Sequence, residues 1–470
     1  MSALLASAML AIVTQNQVAL RAAPRDSAPQ QAMLWQGEAL DVRDARGDYL
    51  LVYDLKLERE GYIRSNQVRL TTLRPEEAPE LLAVVRFLRD TPGSEALGIS
   101  YAAAYLKAIP ASAMTAEPLD ALGNMAQRLA QRASSVQSKS AQATISAHLE
   151  VVSQMGVTMT GFERDGSVQI CYDGEVFRKV LAMSSADPAE LARAALGLTR
   201  HECVDPNMGP IERYQFDQWR ADVLDRVPTD ELILGLKSRV LMRRAGVLAS
   251  LAFWQARRGL NPQLAAERSI EDLAGVDKSV LDDEGLRDYA EAAVRVGASR
   301  LAALKMANRG GKLVVHTSAG APGETCVSLF YMQKQDGEPL IRRCTYGTVW
   351  SSSMSSNVEG TALTLAVQPL ATWRELWVFR KTADGWTANV LPPDLNGPGL
   401  GYIESAGWDP GTKRLLLCRE ALVSDHLLRR FELVRLDTLA TVHQASTPEY
   451  LTNFARWQDP VWRSNTVALR

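Results

Sequence analysis

Polar and apolar positions divide the 470-residue chain into three stretches of different period. In residues 11–73 the period is two. Val13-Thr14 and Val18-Ala19-Leu20 alternate around the polar corner Gln15-Asn16-Gln17, and Ala39-Leu40-Asp41-Val42 follows Gly37-Glu38. Tyr49–Tyr53 follows a turn at Ala45-Arg46-Gly47, and a charged loop, Lys56–Gly61, precedes Tyr62-Ile63. About five short strands with turns at this spacing predict a small β-barrel. From residue 75 to 307 the period becomes helical. Leu81, Leu82, Val85 and Leu88 share one face after Pro79 and are stopped by Pro92-Gly93. Asp187-Pro188-Ala189-Glu190 is a strong helix start, with Asp as N-cap and Pro at the first helical position. Further helices are predicted from Phe216 to Val227, Asp230 to Arg257 with a break near Gly246, Pro262 to Ala274 and Asp283 to Met306. A β-hairpin near 157–172, around Arg164-Asp165-Gly166, interrupts them.

Past Arg309-Gly310-Gly311, residues 312–470 return to strands. These are Leu313–His316, Cys326–Met332, Leu340–Tyr346, Ala362–Val367, Glu375–Arg380, Leu415–Arg419 and Phe431–Leu436. Seven of the ten tryptophans lie beyond residue 340, which suits a sheet packed by large aromatics. The pattern therefore predicts a multidomain α+β chain: a small N-terminal β-barrel, a mostly helical middle and a C-terminal antiparallel β domain. A chain of this length is expected to hold more than one core.

Charge removes some classes of function. The 52 basic and 54 acidic residues give a net charge of −2, and the first 73 residues carry eight of each sign. Nucleic-acid binding and anionic membrane surfaces, which call for a basic face, are not expected. No apolar run reaches the ~20 residues of a spanning helix, so no transmembrane segment is expected. The longest run, Ala3–Val13, reads in two ways. Leu4-Leu5 followed by Ala6-Ser7-Ala8 has the form of a signal-peptidase site whose basic leader is truncated; alternatively it is an apolar lead into the first strand.

Two resemblances rest on particular residues. Leu20-Arg21-Ala22-Ala23-Pro24, Trp35-Gln36-Gly37-Glu38, Asp48-Tyr49-Leu50-Leu51-Val52 and Gly61-Tyr62-Ile63, closing on Val68, resemble a bacterial SH3-like (SH3b) domain. That resemblance implies a small barrel, used as a binding module in exported bacterial proteins. Near the other end, Ser405-Ala406-Gly407-Trp408-Asp409-Pro410-Gly411-Thr412-Lys413-Arg414-Leu415-Leu416-Leu417, continued by Phe431–Asp437, resembles a blade of a TolB-type propeller. Gly411-Thr412 replaces the family's usual Asp-Gly, and the C-terminal stretch is too short for a full ring. A propeller-blade-like twisted sheet or a sandwich is the expectation there.

Candidate chemistry is sparse. The five histidines, at 148, 201, 316, 426 and 443, show no metal-ligand spacing, so neither a metal nor another cofactor is expected. Thr199-Arg200-His201-Glu202-Cys203 offers a Cys/His pair, but neighbouring helical residues point apart, and a helix end suited to the dipole explains it better. A cysteine amidase would need a Cys at a helix start, whereas Cys171 falls at a strand end. No hydrolase elbow, phosphate loop or dinucleotide fingerprint occurs. Cys326 and Cys344 flank Lys334-Gln335-Asp336-Gly337 at nearly equal distance, so a hairpin would set them opposite each other. Cys171 with Cys203 is a second candidate bridge, which leaves Cys418 over; five buried thiols are the alternative.

In the first domain Trp35, Tyr49, Tyr53 and Tyr62 are candidate ligand-binding residues. Strand alternation sets Tyr49, Leu51 and Tyr53 on one face, with Leu50 and Val52 as the core set, so Tyr49 and Tyr53 are expected to be exposed. The alternative is that the aromatics fill the core. These readings point to a periplasmic or cell-envelope binding and scaffold protein with a protein, peptide or peptidoglycan ligand. The competing reading is a cell-wall hydrolase with a divergent catalytic site in the helical middle.

Overall fold

The structure is a computed structural model that describes residues 9–135, 138–164, 166–304, 311–395, 397–409, 413–423 and 426–467. The signal-like Leu4-Leu5 and Ala6-Ser7-Ala8, Asp165, Arg309-Gly310 and the turn Pro410-Gly411-Thr412 lie outside them. The chain is α+β, with an N-terminal antiparallel sheet, a helical middle and C-terminal sheets. It forms two compact units. One runs to Asn207 and takes in Arg226–Glu231; the other comprises Met208–Asp225 and Leu232–Arg470. The helical stretch is thereby shared between the two.

In the first unit, seven strands make one sheet: β1 (Met9–Val13), β2 (Val18–Arg21), β3 (Gln30–Leu34), β4 (Ala39–Arg46), β5 (Tyr49–Asp54), β6 (Arg59–Arg64) and β7 (Val68–Thr71). Their order is β3-β2-β6-β5-β4-β1-β7. Among the described residues no closed barrel is found, because no ladder joins the edges β3 and β7. β3 was not expected, since Gln30-Gln31 starts it without an apolar alternation. Ala11, Val13, Val18, Leu20, Leu34, Leu40, Leu50, Val52 and Ile63 form the inner core. Alternation turns Ile12 of β1 the other way, into the core of the helices.

Those helices are α1 (Ala78–Arg89), α2 (Glu95–Ala108), α3 (Ala116–Ser134), α4 (Lys139–Gln154), α5 (Glu175–Ala182) and α6 (Pro188–Leu198). α1 buries Leu81, Val85 and Leu88 as its spacing predicts, and Ala78 beside them, while Leu82 stays half-buried. α6 starts in a full capping box between Asp187 and Glu190. The hairpin β8 (Met159–Arg164) and β9 (Ser167–Tyr172) is tied to the segment after α6 by the Cys171–Cys203 disulfide.

The second unit opens with α7 (Pro210–Asp225), α8 (Leu234–Arg257), α9 (Gln263–Ala274) and α10 (Asp283–Ser299). Two expectations are corrected here. α7 starts six residues before Phe216, and α8 runs unbroken through Gly246. That glycine is buried between Ala245 and Val247, and packing against α9 and α10 offsets the ~1 kcal/mol a helical glycine costs.

Two sheets follow. β10 (Leu313–Ala319), β11 (Thr325–Tyr331) and β12 (Ile341–Thr345) form the smaller. The larger has eight strands: β13 (Thr348–Ser356), β14 (Ala362–Leu370), β15 (Trp373–Thr382), β16 (Gly385–Leu391), β17 (Leu400–Asp409), β18 (Arg414–Val423), β19 (His426–Arg435) and β20 (Thr441–Ala445). Both sheets contribute to one core, Leu313, Val327 and Leu329 meeting Leu363, Leu365, Trp377 and Phe379. The larger sheet is not wholly antiparallel, since β15 and β17 pair in parallel at Trp373–Gly401 and Arg374–Tyr402. Two short helices, α11 (Thr452–Trp457) and α12 (Pro460–Val467), close the chain.

Gly37 shows how tightly sheet and helices meet in the first unit. Its φ is +91°, its carbonyl accepts from Ser100 Oγ at 2.5 Å, and an added Cβ would lie 2.6 Å from the Ala96 carbonyl oxygen. Gly37→Ala is expected to destabilise the protein by about 2–4 kcal/mol through left-handed strain plus that clash. Urea unfolding of the variant beside the parent measures this.

Candidate functional site

β5 and β6 lie in register with Leu51 opposite Tyr62, Tyr53 opposite Glu60 and Tyr49 opposite Arg64. Directly opposed residues share a face, so Tyr49, Tyr53 and Tyr62 stand together on the side away from Leu50, Val52 and Ile63. Tyr53 and Tyr62 are half-buried. The Arg43 guanidinium lies 5.3 Å from the Tyr53 ring centre.

Tyr49 corrects the expectation of exposure, being only 6% accessible. The segment between β2 and β3 brings Asp26 across it. The phenol donates to Asp26 Oδ1 at 2.6 Å, Arg64 pairs with the same carboxylate, and the Arg64 guanidinium lies 5.3 Å from the ring centre. Hydrogen bonds from Arg64 and Tyr49 hold the Asp26 carboxyl down at about 2. Trp35 is not grouped with the three tyrosines. It follows β3, packs on the helical core and meets the His148 ring edge-on at 6.5 Å.

That seam between sheet and α4 gathers further polar groups. His148, 1% accessible, lies 2.8 Å through Nε2 from Asn16 Oδ1. An amide oxygen only accepts, so the ring is protonated on Nε2 there. Burial, with Arg132 nearby, lowers the pKa of His148 to about 4, so it is neutral at pH 7. Glu38, 7% accessible, is pushed up to about 7 by burial and by the charge of Asp54; Lys56 opposes this only in part. Lys56 itself pairs with Glu150 of α4 at 2.7 Å.

The cysteines are placed as follows. Cys171 is bonded to Cys203, and Cys326 to its cross-strand partner Cys344. Cys418 is buried outside both bridges. With its sulfur in a disulfide, Cys203 is no thiolate for His201, and Glu202 pairs with Arg200 at 2.6 Å instead. Glu324, Cys326 and Cys344 bring three ligating atoms within 4.8 Å of one another. Both sulfurs are spent in the disulfide, so the trio is no thiolate metal site.

A convergence of ionised groups that the sequence reading missed lies in the second unit. Glu404 of β17 is 5% accessible and Arg374 of β15 is 0%, while Arg300, in the turn after α10, is 4%. Arg300 reaches Glu404 through Nε at 2.7 Å and through Nη2, Arg374 reaches it through Nη2, and Trp462 of α12 donates Nε1–H at 2.8 Å. Arg374 Nη1 donates to the Ala298 carbonyl at 3.0 Å. Burial alone would raise Glu404, but the two guanidiniums prevail and hold its carboxyl at about 2.

A bulge builds this place. The β17–β18 register shifts between Ser405 and Gly407. Gly407, with φ +144°, lets the Trp457 carbonyl come to where a Cβ would stand, 2.5 Å away. Asp459 N then donates to the Ala406 carbonyl at 2.7 Å, which sets α12 and its Trp462 over Glu404. A small cleft, about 40 Å³ inside and open at its mouth, adjoins the cluster. Its walls include Arg300, Glu404, Ser405, Leu301, Leu304 and Trp462.

No protein-family model, curated protein or solved structure matches this chain. Among the described residues, no helix is long and apolar enough to cross a membrane.

Glu38 gives the first unit a pH signature. The unfolded carboxyl ionises near 4.5 and the folded one near 7, so between these values the folded state keeps a proton the unfolded state releases. Stability therefore falls as pH rises through this window. Glu38→Gln is expected to exceed the parent in stability by on the order of 2 kcal/mol at pH 8, with the gap closing towards pH 5. Urea titrations at both pH values check the sign.

Proposed function

We propose that the chain is an exported cell-envelope binding or scaffold protein. In this reading the N-terminal sheet acts as an SH3-like module that holds a peptide or cell-wall ligand. The C-terminal sheets, propeller-blade-like or sandwich-like, offer a second surface. One observation carries the reading: Tyr53 and Tyr62 share a partly exposed face with Arg43 nearby, a pairing of rigid aromatic area and cation suited to recognition. The two disulfides fit an oxidising compartment such as the periplasm.

The second reading, a cell-wall hydrolase acting from the helical middle, has one observation in its favour. Burial pushes the Asp120 carboxyl up to about 6 between α3 and α6. Against it, Asp120 is 1% accessible and its two oxygens are taken by Asn124 at 2.9 Å and Arg193 at 2.8 Å. Such an acid has no open side for a glycosidic oxygen.

Isolated sacculi serve both readings. The binding reading expects the protein to co-sediment with them and leave the muropeptide pattern unchanged. Tyr53→Ala with Tyr62→Ala should weaken binding at least about tenfold while Tm stays within about 2 °C. New muropeptides would favour the hydrolase. Unchanged sedimentation by the double variant would remove the tyrosine face from the ligand site.

A further inference from the structure

The Arg300–Glu404–Arg374 cluster carries one positive charge more than it neutralises. A buried pair that serves only to join elements needs one cation per anion, and leaving a second cation uncompensated is costly. Here both guanidiniums are at most 4% accessible and both converge on one carboxylate. Among the described residues no second carboxylate pairs with either guanidinium. Burial holds the Tyr402 phenol well above its usual range, so it is neutral, and Glu420 is taken by Arg429 at 2.6 Å.

The adjoining cavity has the complementary chemistry. Arg300 spends Nε and Nη2 on Glu404 and lines the cavity; among the described residues no further partner of its guanidinium is found. Ser405 Oγ, on the same wall, is buried without a hydrogen-bond partner. Arg374, fully buried behind Glu404, has its Nε unpartnered as well. Ser352 already donates to the Leu301 carbonyl at 3.3 Å, and Ser353 to the Trp350 carbonyl at 2.6 Å. The rest of the lining is apolar: Leu301, Leu304, Ala366, Leu376 and Ile403.

We propose that this cavity is a binding site for a small organic monoanion, a carboxylate on a short apolar body. The carboxylate would sit between Arg300 and Ser405, and the apolar body would lie against the leucines, Ile403 and Trp462. A single negative charge neutralises the cluster, whereas a dianion would overshoot it. Glu404 does not repel such a ligand outright, because its oxygens are covered by the Arg300, Arg374 and Trp462 donors. The site is separate from the tyrosine face, and the inference does not rest on the function proposed above.

Calorimetric titration of the full chain with hexanoate, and with uncharged hexanamide as the control, tests it. Hexanoate is expected to bind at least about tenfold tighter than hexanamide, the factor one charge-assisted hydrogen bond commonly carries. Two folded variants locate the site. Ser405→Val removes the hydroxyl and Ala366→Leu fills the cavity from its apolar side, and each should weaken hexanoate at least about tenfold. Circular dichroism establishes that each variant is folded. Absence of hexanoate binding at millimolar concentration, equal affinity for hexanamide, or binding that both folded variants leave intact would overturn the proposal.

Discussion

An ionised carboxylate cannot be buried alone, and three of the buried acids among the described residues meet that constraint with two arginines each. Glu95 opens α2, Asp217 lies within α7, and Glu404 lies beside the bulge of β17; all are at most 5% accessible. Each draws guanidiniums across a junction or along its own helix, because an uncompensated ion there would cost several kcal/mol. Arg128 and Arg132 of α3 reach Glu95, while Arg213 and Arg220 of α7 reach Asp217, joined by Ser250 of α8. These pairings fix how elements meet more than they add stability.

The three hubs differ in where the excess charge goes. Around Glu95 both arginines keep about a third of their side chains in water, at 27% and 33%, so solvent takes up the surplus. At Asp217, Arg213 keeps 22%. Only at Glu404 are both partners sealed, at 4% and 0%. The same device that locks helices together elsewhere thus becomes, beside the bulge, a charged wall with an open cavity. Position in the fold, not residue type, makes the difference.

What could be read from the chain beforehand follows the same division. Patterns complete within a few residues were legible: the α1 stripe, the Asp187–Glu190 capping box, and the hairpin that sets Cys326 opposite Cys344. α2 was not, because Gly98, Ile99, Ser100, Tyr101 and Ala102 are all buried and leave no polar face to mark a period. β13 was hidden by its run of serines. Tyr49 sat on the anticipated face, but its cover comes from Asp26, 23 positions away. Among the candidate residues, strand alternation reached Tyr53, whereas Tyr62 was named only as an aromatic of the same stretch. The Glu404 cluster unites residues 104 and 30 positions apart, a distance at which no local pattern speaks.

β1 decides how the sheet of the first unit meets its helices. Its Ala11 and Val13 fill the sheet core while Ile12 enters the helical core, so the strand is buried on both sides. Leu10 opposes Asp41, and Asp41 opposes Tyr53, so these three belong to one face of the sheet. Arg69 of β7, opposite Ile12, pairs with Glu80 of α1 on that face. The helices therefore cover the β7–β1 end and leave β5 and β6 partly open. A ligand on Tyr53 and Tyr62 would lie along the border of the helical layer rather than on an independent module. Sheet and helices share a core there, and a cut near residue 73 would strip β1 of half its cover. The N-terminal sheet is then expected to act with α1 and α2 as one body, which sets what a truncation must keep if it is to bind.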